Sequence, residues 1–307
     1  MITTINASEI DHAFDRLDEA WQTQGLFLVR GAIDRDRAVE VRGVIRNLIL
    51  TPDDDAAGSA GASADPMDPM GNTPEAKAAR FRKLGDLAGK SPLCWHYVYG
   101  SEHLRKLARH FLEHEAGAPA DDLWLKFNST FLKPAKTGSA TPWHQDNGLW
   151  RDDDTSSFNF WMALDPATKA NGCLQFVPGS HLDEDGIVPH VLYADSIHGE
   201  IPREKVEEQK QRNGLVHVEL QPGDAICWHS NLYHYSPPNQ SDHGRIGQAG
   251  VYTTCALARK FNRFKQFYVV ESGGTLHDTF PPERATLPGE MPTVEPWERL
   301  EPEAKAA

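Results

Sequence analysis

Residues 123–132 read LWLKFNSTFL, the first of six short runs that are rich in β-branched and aromatic residues. The other five are FNFWMAL (158–164), CLQFV (173–177), LVHVEL (215–220), AICWH (225–229) and QAGVYTTCALA (248–258). Turn-forming pairs separate several of these runs, namely Asn171-Gly172, Pro178-Gly179 and Pro222-Gly223. Short strands punctuated by such turns are typical of antiparallel sandwiches and barrels. We therefore predict a β core over residues 121–260.

The residues before this core have helical spacing instead. Apolar residues recur on one helical face after Ser8, a capping residue, and Gly25 ends the pattern. The run LFLV (26–29) is of strand length, and Asp34 caps the next helical stripe. We expect helices near residues 8–25, 34–48, 76–88 and 101–115. Residues 1–120 should therefore be a mainly helical part with one strand.

Three segments fall outside this scheme. Residues 51–75 hold almost nothing large enough to bury, which predicts a loop. Residues 182–213 form a long polar insertion within the β core, with a charged helical pattern at 202–212. Since long loops in compact domains are usually functional or disordered, we expect both segments near the mouth of the core. The 27 residues after Phe280 include six prolines and should run along the surface as extended chain.

Charge and composition argue against two classes of partner. The chain has 31 Lys and Arg against 44 Asp and Glu, and this net charge of −13 repels nucleic-acid phosphates and anionic lipid. No stretch approaches the roughly 18 apolar residues of a membrane span, and MITTINASEIDHAFDR (1–16) lacks the regions of a secretion signal. Four scattered cysteines indicate buried thiols rather than a disulfide scaffold. These features predict a cytoplasmic protein that binds neither nucleic acid nor membranes.

The segment TPWHQDNGLW (141–150) contains His144-x-Asp146. Residues two apart on a strand project from the same face, but a lone pair of this kind is a weak signal in a chain with 14 histidines. The signal strengthens because His234 follows 88 residues after Asp146, with Ser236 and Arg245 behind it. Two imidazoles and one carboxylate are the ligands of non-haem Fe(II) oxygenases, and arginine pairs with a carboxylate through two parallel hydrogen bonds.

These motifs resemble the phytanoyl-CoA dioxygenase family of Fe(II)/2-oxoglutarate oxygenases, which also includes ectoine hydroxylase. The resemblance rests on the H-x-D motif, on NGCLQFVPGSH (171–181), and on a Gly-Asp pair followed by H-x-S-x-x-N-x-S and an arginine (223–245). It implies a mainly β fold with flanking helices, a double-stranded β-helix of the jelly-roll, cupin-like kind. The whole chain, 1–307, then forms a single catalytic domain, with residues 261–307 as a C-terminal extension.

The same resemblance assigns roles to individual residues. The two histidines and the aspartate hold Fe(II), Arg245 binds the distal carboxylate of 2-oxoglutarate with help from Ser236, and Trp150 lines the pocket. O2 is the oxidant, and succinate and CO2 are released. The related halogenases have a small residue where this chain has Asp146. The carboxylate therefore favours hydroxylation, or another oxidative outcome, over halogenation.

Other polar residues of these motifs have structural interpretations. His229 lies five residues before His234, and the spacing to the serine and arginine favours His234 as the ligand. We expect His181 to hold its loop, His243 to lie on the surface, and Asp224 to accept backbone hydrogen bonds in a turn.

Lys126, Asn128 and Lys133 lie on or just after the strand that precedes the metal motif. One of them is expected to reach 2-oxoglutarate or the substrate, with Lys133 as the candidate for 2-oxoglutarate. The alternative is that these residues belong to a solvated face.

Two other functions use the same residues. A hydrolase could hold zinc in the triad, although Arg245 and Ser236 would then have no reason for their spacing. A non-catalytic jelly-roll binding protein could have kept the pocket. For the oxygenase, a small or medium-sized metabolite is the favoured substrate, and an acyl-CoA thioester is the alternative.

Overall fold

Helices dominate the chain before residue 120 and strands dominate after it. The computed structural model describes residues 1–50, 63–64, 81–117, 119–120, 122–150, 157–260, 264–289 and 297–300. The strands are Thr4–Asn6 (β1), Leu26–Arg30 (β2), Ser63–Ala64 (β3), Phe81–Gly85 (β4), Leu123–Lys133 (β5), Thr141–His144 (β6), Phe158–Ala163 (β7), Leu174–Phe176 (β8), Val191–Tyr193 (β9), Val216–Val218 (β10), Ala225–His229 (β11), His234–Ser236 (β12), Arg245–Thr254 (β13), Gln266–Ser272 (β14), Thr275–Leu276 (β15), Arg284–Thr286 (β16) and Glu298–Leu300 (β17). The α-helices are Phe14–Thr23 (α1), Arg35–Leu50 (α2), Leu87–Lys90 (α3), Glu102–Ala116 (α4), Asp146–Trp150 (α5), Arg203–Asn213 (α6) and Cys255–Ala258 (α7). Short 3-10 helices span Ala7–His12 and Ser180–Leu182, and a π-helix spans Cys94–Tyr99.

Two sheets face each other. The larger sheet has the spatial order β1-β2-β11-β7-β13-β5-β14-β15, and the smaller has the order β10-β8-β12-β6. Apart from the parallel pair β1–β2, the strand pairs along these two orders are antiparallel. A further pair, β17 with β9, runs in parallel and connects the C-terminal residues to the insertion.

The larger sheet is buried on both faces, which explains why LFLV is a continuous apolar run rather than an alternating one. In β2, Leu26 and Leu28 belong to the apolar cluster between the two sheets. Phe27 and Val29 point the other way, into a cluster that includes apolar residues of α1, α2 and α4. The helices therefore cover the outer face of the larger sheet, and its inner face packs on the smaller sheet.

This arrangement confirms the prediction of a mainly β fold with flanking helices and a double-stranded β-helix. The helices predicted near residues 8–25, 34–48 and 101–115 are also present, as the first 3-10 helix with α1, α2 and α4. The insertion 182–213 interrupts the β core between β8 and β10 as expected, and α6 forms its helical pattern.

Two predictions for the N-terminal part are wrong. Where a helix was predicted near residues 76–88, the described residues form strand β4 and only then the short helix α3. Strand β4 forms because it pairs with β5 of the larger sheet, a long-range contact that local spacing does not report. Residues 1–120 therefore hold β1, β3 and β4 besides the one predicted strand.

The predicted loop at residues 51–75 lies outside the described residues, except for the short strand Ser63–Ala64. Where the C-terminal residues are described, they include the short strands β16 and β17, as the extended-chain prediction requires. Among the helices that the structure describes, none has the length and apolar character needed to cross a membrane.

Candidate metal centre

The small sheet places His144 directly opposite His234. These residues are paired across β6 and β12, with ring centroids 3.9 Å apart. Asp146 begins α5 immediately after β6. The candidate ligand atoms of these three residues all lie within 4.8 Å of one another, so the structure brings the three predicted ligands together.

Backbone hydrogen bonds orient both imidazoles. Nδ1 of His144 lies 2.8 Å from the carbonyl oxygen of Pro142, and Nδ1 of His234 lies 2.9 Å from that of Leu232. A carbonyl only accepts, so each Nδ1 donates and each neutral ring keeps its lone pair on Nε2. The two Nε2 atoms lie 4.0 and 3.9 Å from Oδ1 of Asp146. These atoms therefore converge as a metal-binding face.

Trp228 fixes the carboxylate. Its indole N–H donates to Oδ2 of Asp146 at 2.9 Å, which leaves Oδ1 facing the histidines. Burial raises the pKa of Asp146, opposed by His234 and by the bond from Trp228. Burial, with nearby His234 and His198, holds the pKa of His144 well below its ordinary value. A bound cation would relieve the cost of burying the carboxylate, and a neutral imidazole is ready to bind it.

The residue between the ligands attaches this segment to the insertion. The side-chain Nε2 of Gln145 donates to the carbonyl oxygen of Gly186 at 2.8 Å. Its side-chain oxygen Oε1 accepts from the Val188 N–H at 2.8 Å. Gly148 lies against His190, where an added Cβ would come within 2.0 Å of the imidazole. Gln145 and Gly148 of the H-x-D segment therefore serve to position it.

Arg245 is buried, and hydrogen bonds hold its Nε and Nη2. Its Nη2 donates to Ser236 Oγ at 2.8 Å and to the carbonyl oxygen of Gly172 at 2.5 Å, and its Nε donates to that of Asn171 at 3.3 Å. The guanidinium lies 4.8 Å from the ring centroid of Trp161. Nη1 is buried and has no hydrogen-bond partner among the described residues. Burial lowers the pKa of Arg245 to about 10, so the group remains charged at neutral pH.

The triad and Arg245 line the same cavity, which has a volume of about 480 Å³. Trp150 also lines it, as predicted, and contacts Phe127 and Phe264. Most of the remaining wall is aromatic or aliphatic. Its apolar members include Phe127, Phe131, Leu149, Phe160, Trp161, Leu174, Val251, Phe264 and Trp297.

The prediction that Lys133 binds 2-oxoglutarate is not supported, although Lys133 lines the cavity. Its ammonium donates to the carbonyl oxygens of Ser139 at 2.7 Å, of Ser236 at 2.9 Å and of Pro237. An ammonium has three N–H bonds, and these carbonyls account for all three. Lys133 therefore holds the backbone around Ser236.

The other two residues of that strand are also structural. Lys126 is buried, and its Nζ lies 4.2 Å from the Trp150 ring centroid and 4.5 Å from that of Phe264. Asn128 accepts a hydrogen bond from the Ala88 N–H at 3.0 Å, within α3. Neither residue lines the cavity. Lys126 is buried and Asn128 is half-buried, so neither is exposed as the alternative of a solvated face requires.

His229 lies outside the metal cluster, as predicted. Its ring packs between Trp21 and His181, at centroid distances of 5.8 and 5.2 Å. His243 is exposed, and Asp224 accepts from the backbone N–H of Gly31 at 3.0 Å and of Gln221 at 2.9 Å. Those expectations are confirmed.

Sequence reasoning missed several residues of the cavity wall. Arg82 and Lys83 lie on β4, the strand mistaken for a helix, and His198 comes from the insertion. Lys83 Nζ lies 4.8 Å from the Phe127 ring centroid, and burial together with Arg82 lowers its pKa. The His198 ring lies 5.5 Å from that of His144, and burial lowers its pKa to about 4. The insertion therefore reaches the metal centre.

Contacts within the insertion, and one contact to the residue before β12, hold α6 in place. Lys205 on α6 forms ion pairs with Asp183 at 3.4 Å and with Asp185 at 2.6 Å. Asp183 in turn accepts from Gln209 at 2.8 Å and from the Tyr233 hydroxyl at 3.2 Å. These contacts fix α6 beside the strand that carries His234.

Comparison with known proteins gives one family and a set of partial relatives. The phytanoyl-CoA dioxygenase (PhyH) family model matches residues 21–247. A phytanoyl-CoA dioxygenase of Arabidopsis thaliana is 32% identical over 115 residues, which are 38% of each chain. Dioxygenase andF of Emericella variicolor is 31% identical over 147 residues, 45% of this chain and 44% of that protein. The matched regions thus cover less than half of these relatives.

Solved structures extend the likeness over most of the chain. EctD from S. alaskensis, crystallised with 2-oxoglutarate and 5-hydroxyectoine, has a TM-score of 0.63 at 20% identity and covers 92% of this chain and 86% of that chain. EctD with bound Fe gives a TM-score of 0.62 over the same shares. At this level of identity the likeness is one of fold.

Proposed function

This chain belongs to the phytanoyl-CoA dioxygenase family, and we propose that it is an Fe(II)- and 2-oxoglutarate-dependent dioxygenase that hydroxylates a small or medium-sized metabolite. One observation carries the proposal. A face of two imidazoles and one carboxylate shares a cavity with a buried arginine whose Nη1 has no partner among the described residues. The first feature suits a divalent metal ion, and the second suits a carboxylate.

The three ligands fit Fe(II) in chemistry and in arrangement. Their backbone bonds leave Nε2 of His144 and of His234 as the metal-binding atoms. The bond from Trp228 leaves one oxygen of Asp146 for the metal, so the protein would fill three positions and leave three open. A carboxylate in the third position favours oxygenation over halogenation, as the sequence predicts.

Arg245 would hold the distal carboxylate of 2-oxoglutarate. Its Nη2 and Nε are fixed by Ser236, Gly172 and Asn171, so the group is aimed before any ligand arrives. A carboxylate at Nη1 would satisfy the buried N–H and neutralise the buried charge. Ser236 Oγ donates to the Gly172 carbonyl and accepts from Arg245, so we assign it the role of positioning the arginine.

Iron and 2-oxoglutarate, when bound, would supply the O2 activation that oxidises a substrate C–H bond, with release of succinate and CO2. The chain's own contribution is to bind and orient the metal, 2-oxoglutarate and the substrate, and to exclude water from the cavity. Trp150, Phe127 and Phe264 give the cavity an apolar wall. A volume of about 480 Å³ lies in the range of pockets for drug-sized ligands, which favours a metabolite over a whole acyl-CoA thioester.

The cysteines bear on the cellular location. Cys94, Cys173, Cys227 and Cys255 carry free thiols, and the first three are buried. Free thiols persist where disulfides are kept reduced, so we place the protein in the cytoplasm.

Uncoupled turnover tests the proposed function without knowledge of the substrate. Protein incubated in air with Fe(II), ascorbate and 2-oxoglutarate should convert 2-oxoglutarate to succinate, measured by mass spectrometry. Replacing Fe(II) by Zn(II) should stop the conversion, because zinc has no redox chemistry. If 2-oxoglutarate is not consumed under any metal condition, the chain is a hydrolase or a binding protein instead.

A further inference from the structure

The C-terminal residues complete the cavity wall. Strand β17 pairs in parallel with β9 of the insertion, with Glu298 opposite Val191 and Leu300 opposite Tyr193. This pairing places Trp297, the residue before β17, in the wall of the cavity that contains the triad. The family match ends at residue 247, so Trp297 comes from outside the matched region.

Trp297 packs closely on the insertion. A Cβ added at Gly199 would lie 2.5 to 2.7 Å from atoms of the Trp297 indole, so the indole covers the face of this glycine. The preceding residue, His198, also lines the cavity and donates from Nδ1 to the Gly199 carbonyl oxygen at 2.7 Å. The His198 ring lies 5.5 Å from that of His144. The two adjacent residues His198 and Gly199 therefore lie between the indole and the metal centre.

We propose that Trp297 is a substrate-specificity residue, which stacks on an aromatic or other flat apolar ring of the substrate. This inference rests on the proposed function. Phe127, Phe131, Trp150 and Phe264 line the same cavity, so a ring bound there meets aromatic faces and edges. The half-buried Trp297 adds a further aromatic ring to this wall, at the point where β17 pairs with β9 of the insertion.

The test uses the full-length, metal-free protein and the aromatic dye 1-anilinonaphthalene-8-sulfonate, with affinity measured by fluorescence titration. Trp297→Ala should weaken dye binding roughly tenfold, since it removes one large aromatic contact, and Trp297→Phe should stay within about threefold of the native affinity. Glu298→Ala is the matched control, because Glu298 is the exposed residue that follows Trp297 in the chain. Its affinity should equal the native value. Circular dichroism should show that each variant is folded.

A double-mutant cycle shows whether the effect passes through the indole. Gly199→Ala pushes the Trp297 ring without changing its chemistry, so alone it should weaken dye binding severalfold. In the Trp297→Ala background the same change should have almost no effect, because the ring that it displaces is gone. A full effect in both backgrounds would show that Gly199 acts through His198, which contradicts the proposal.

Equal dye affinity in the native and Trp297→Ala proteins would overturn the inference, and so would a native protein that does not bind the dye. These results do not depend on iron chemistry. Absence of succinate formation in both the native and Glu298→Ala proteins would instead refute the proposed function and leave the binding series interpretable.

Discussion

Replacing His234 by alanine is expected to abolish Fe(II)-dependent succinate formation, whereas replacing His229 by alanine should leave it intact. His234 faces His144 across the small sheet and directs Nε2 at Asp146. The protein supplies only three ligands, so loss of one should weaken iron binding strongly. Loss of a residue that merely orients a ligand costs up to about 100-fold in metal affinity, and we expect a larger effect here. Iron content after gel filtration, measured by mass spectrometry, checks this directly.

His229 is the matched control because it is a nearby histidine of the same motif with a different environment. Its ring packs on Trp21 and His181, and its Nδ1 accepts from the Asn231 N–H at 3.1 Å. His229→Ala should lower the unfolding temperature and keep the native iron stoichiometry. Iron loss in His229→Ala with iron retained in His234→Ala would show that the ligand assignment is wrong.

Arg245→Lys should raise the KM for 2-oxoglutarate by about tenfold to a hundredfold. The substitution keeps the positive charge but loses the planar fork, and a charge-assisted hydrogen bond is worth roughly 1.5 to 3 kcal/mol. The three bonds that orient the guanidinium toward the cavity are also lost or rearranged. Equilibrium dialysis of labelled 2-oxoglutarate should show a parallel loss of binding.

Arg42→Lys serves as the control for that series. Arg42 pairs with Asp165 at 2.9 Å, on the segment that follows β7, and it does not line the cavity. Its substitution should leave the KM unchanged. If Arg245→Lys and Arg42→Lys behave alike, Arg245 has no part in binding 2-oxoglutarate.

The β core and the triad could be predicted because their signals are local or depend on fixed spacing. Turn-forming residue pairs mark the ends of the strands. His144, Asp146 and His234 have the sequence spacing of a known metal motif, and the fold brings them together. Strand β4 could not be recognised, because only its pairing with β5 makes it a strand. Because β4 was not predicted, Arg82 and Lys83 were not recognised as candidate site residues.

The supporting residues were missed for a related reason. Trp228 lies 82 residues from Asp146, and nothing in the run AICWH shows that its indole N–H meets the carboxylate. Lys133 was predicted to bind 2-oxoglutarate because a lysine beside a metal motif looks like an anion ligand, whereas here its ammonium donates to three carbonyls. Trp297 depends on the pairing of two short strands that are distant in sequence.

The most direct test of the central claim is the visible spectrum of the Fe(II)-loaded protein under anaerobic conditions during titration with 2-oxoglutarate. A 2-oxo acid that chelates Fe(II) gives a metal-to-ligand charge-transfer absorption. The band therefore reports 2-oxoglutarate on the iron held by the triad, and the concentration needed to saturate it reports the contribution of Arg245. We predict a band that saturates at one equivalent of 2-oxoglutarate in the native protein and needs about tenfold to a hundredfold more in Arg245→Lys. A native protein that binds Fe(II) and shows no such band at any 2-oxoglutarate concentration would contradict the account.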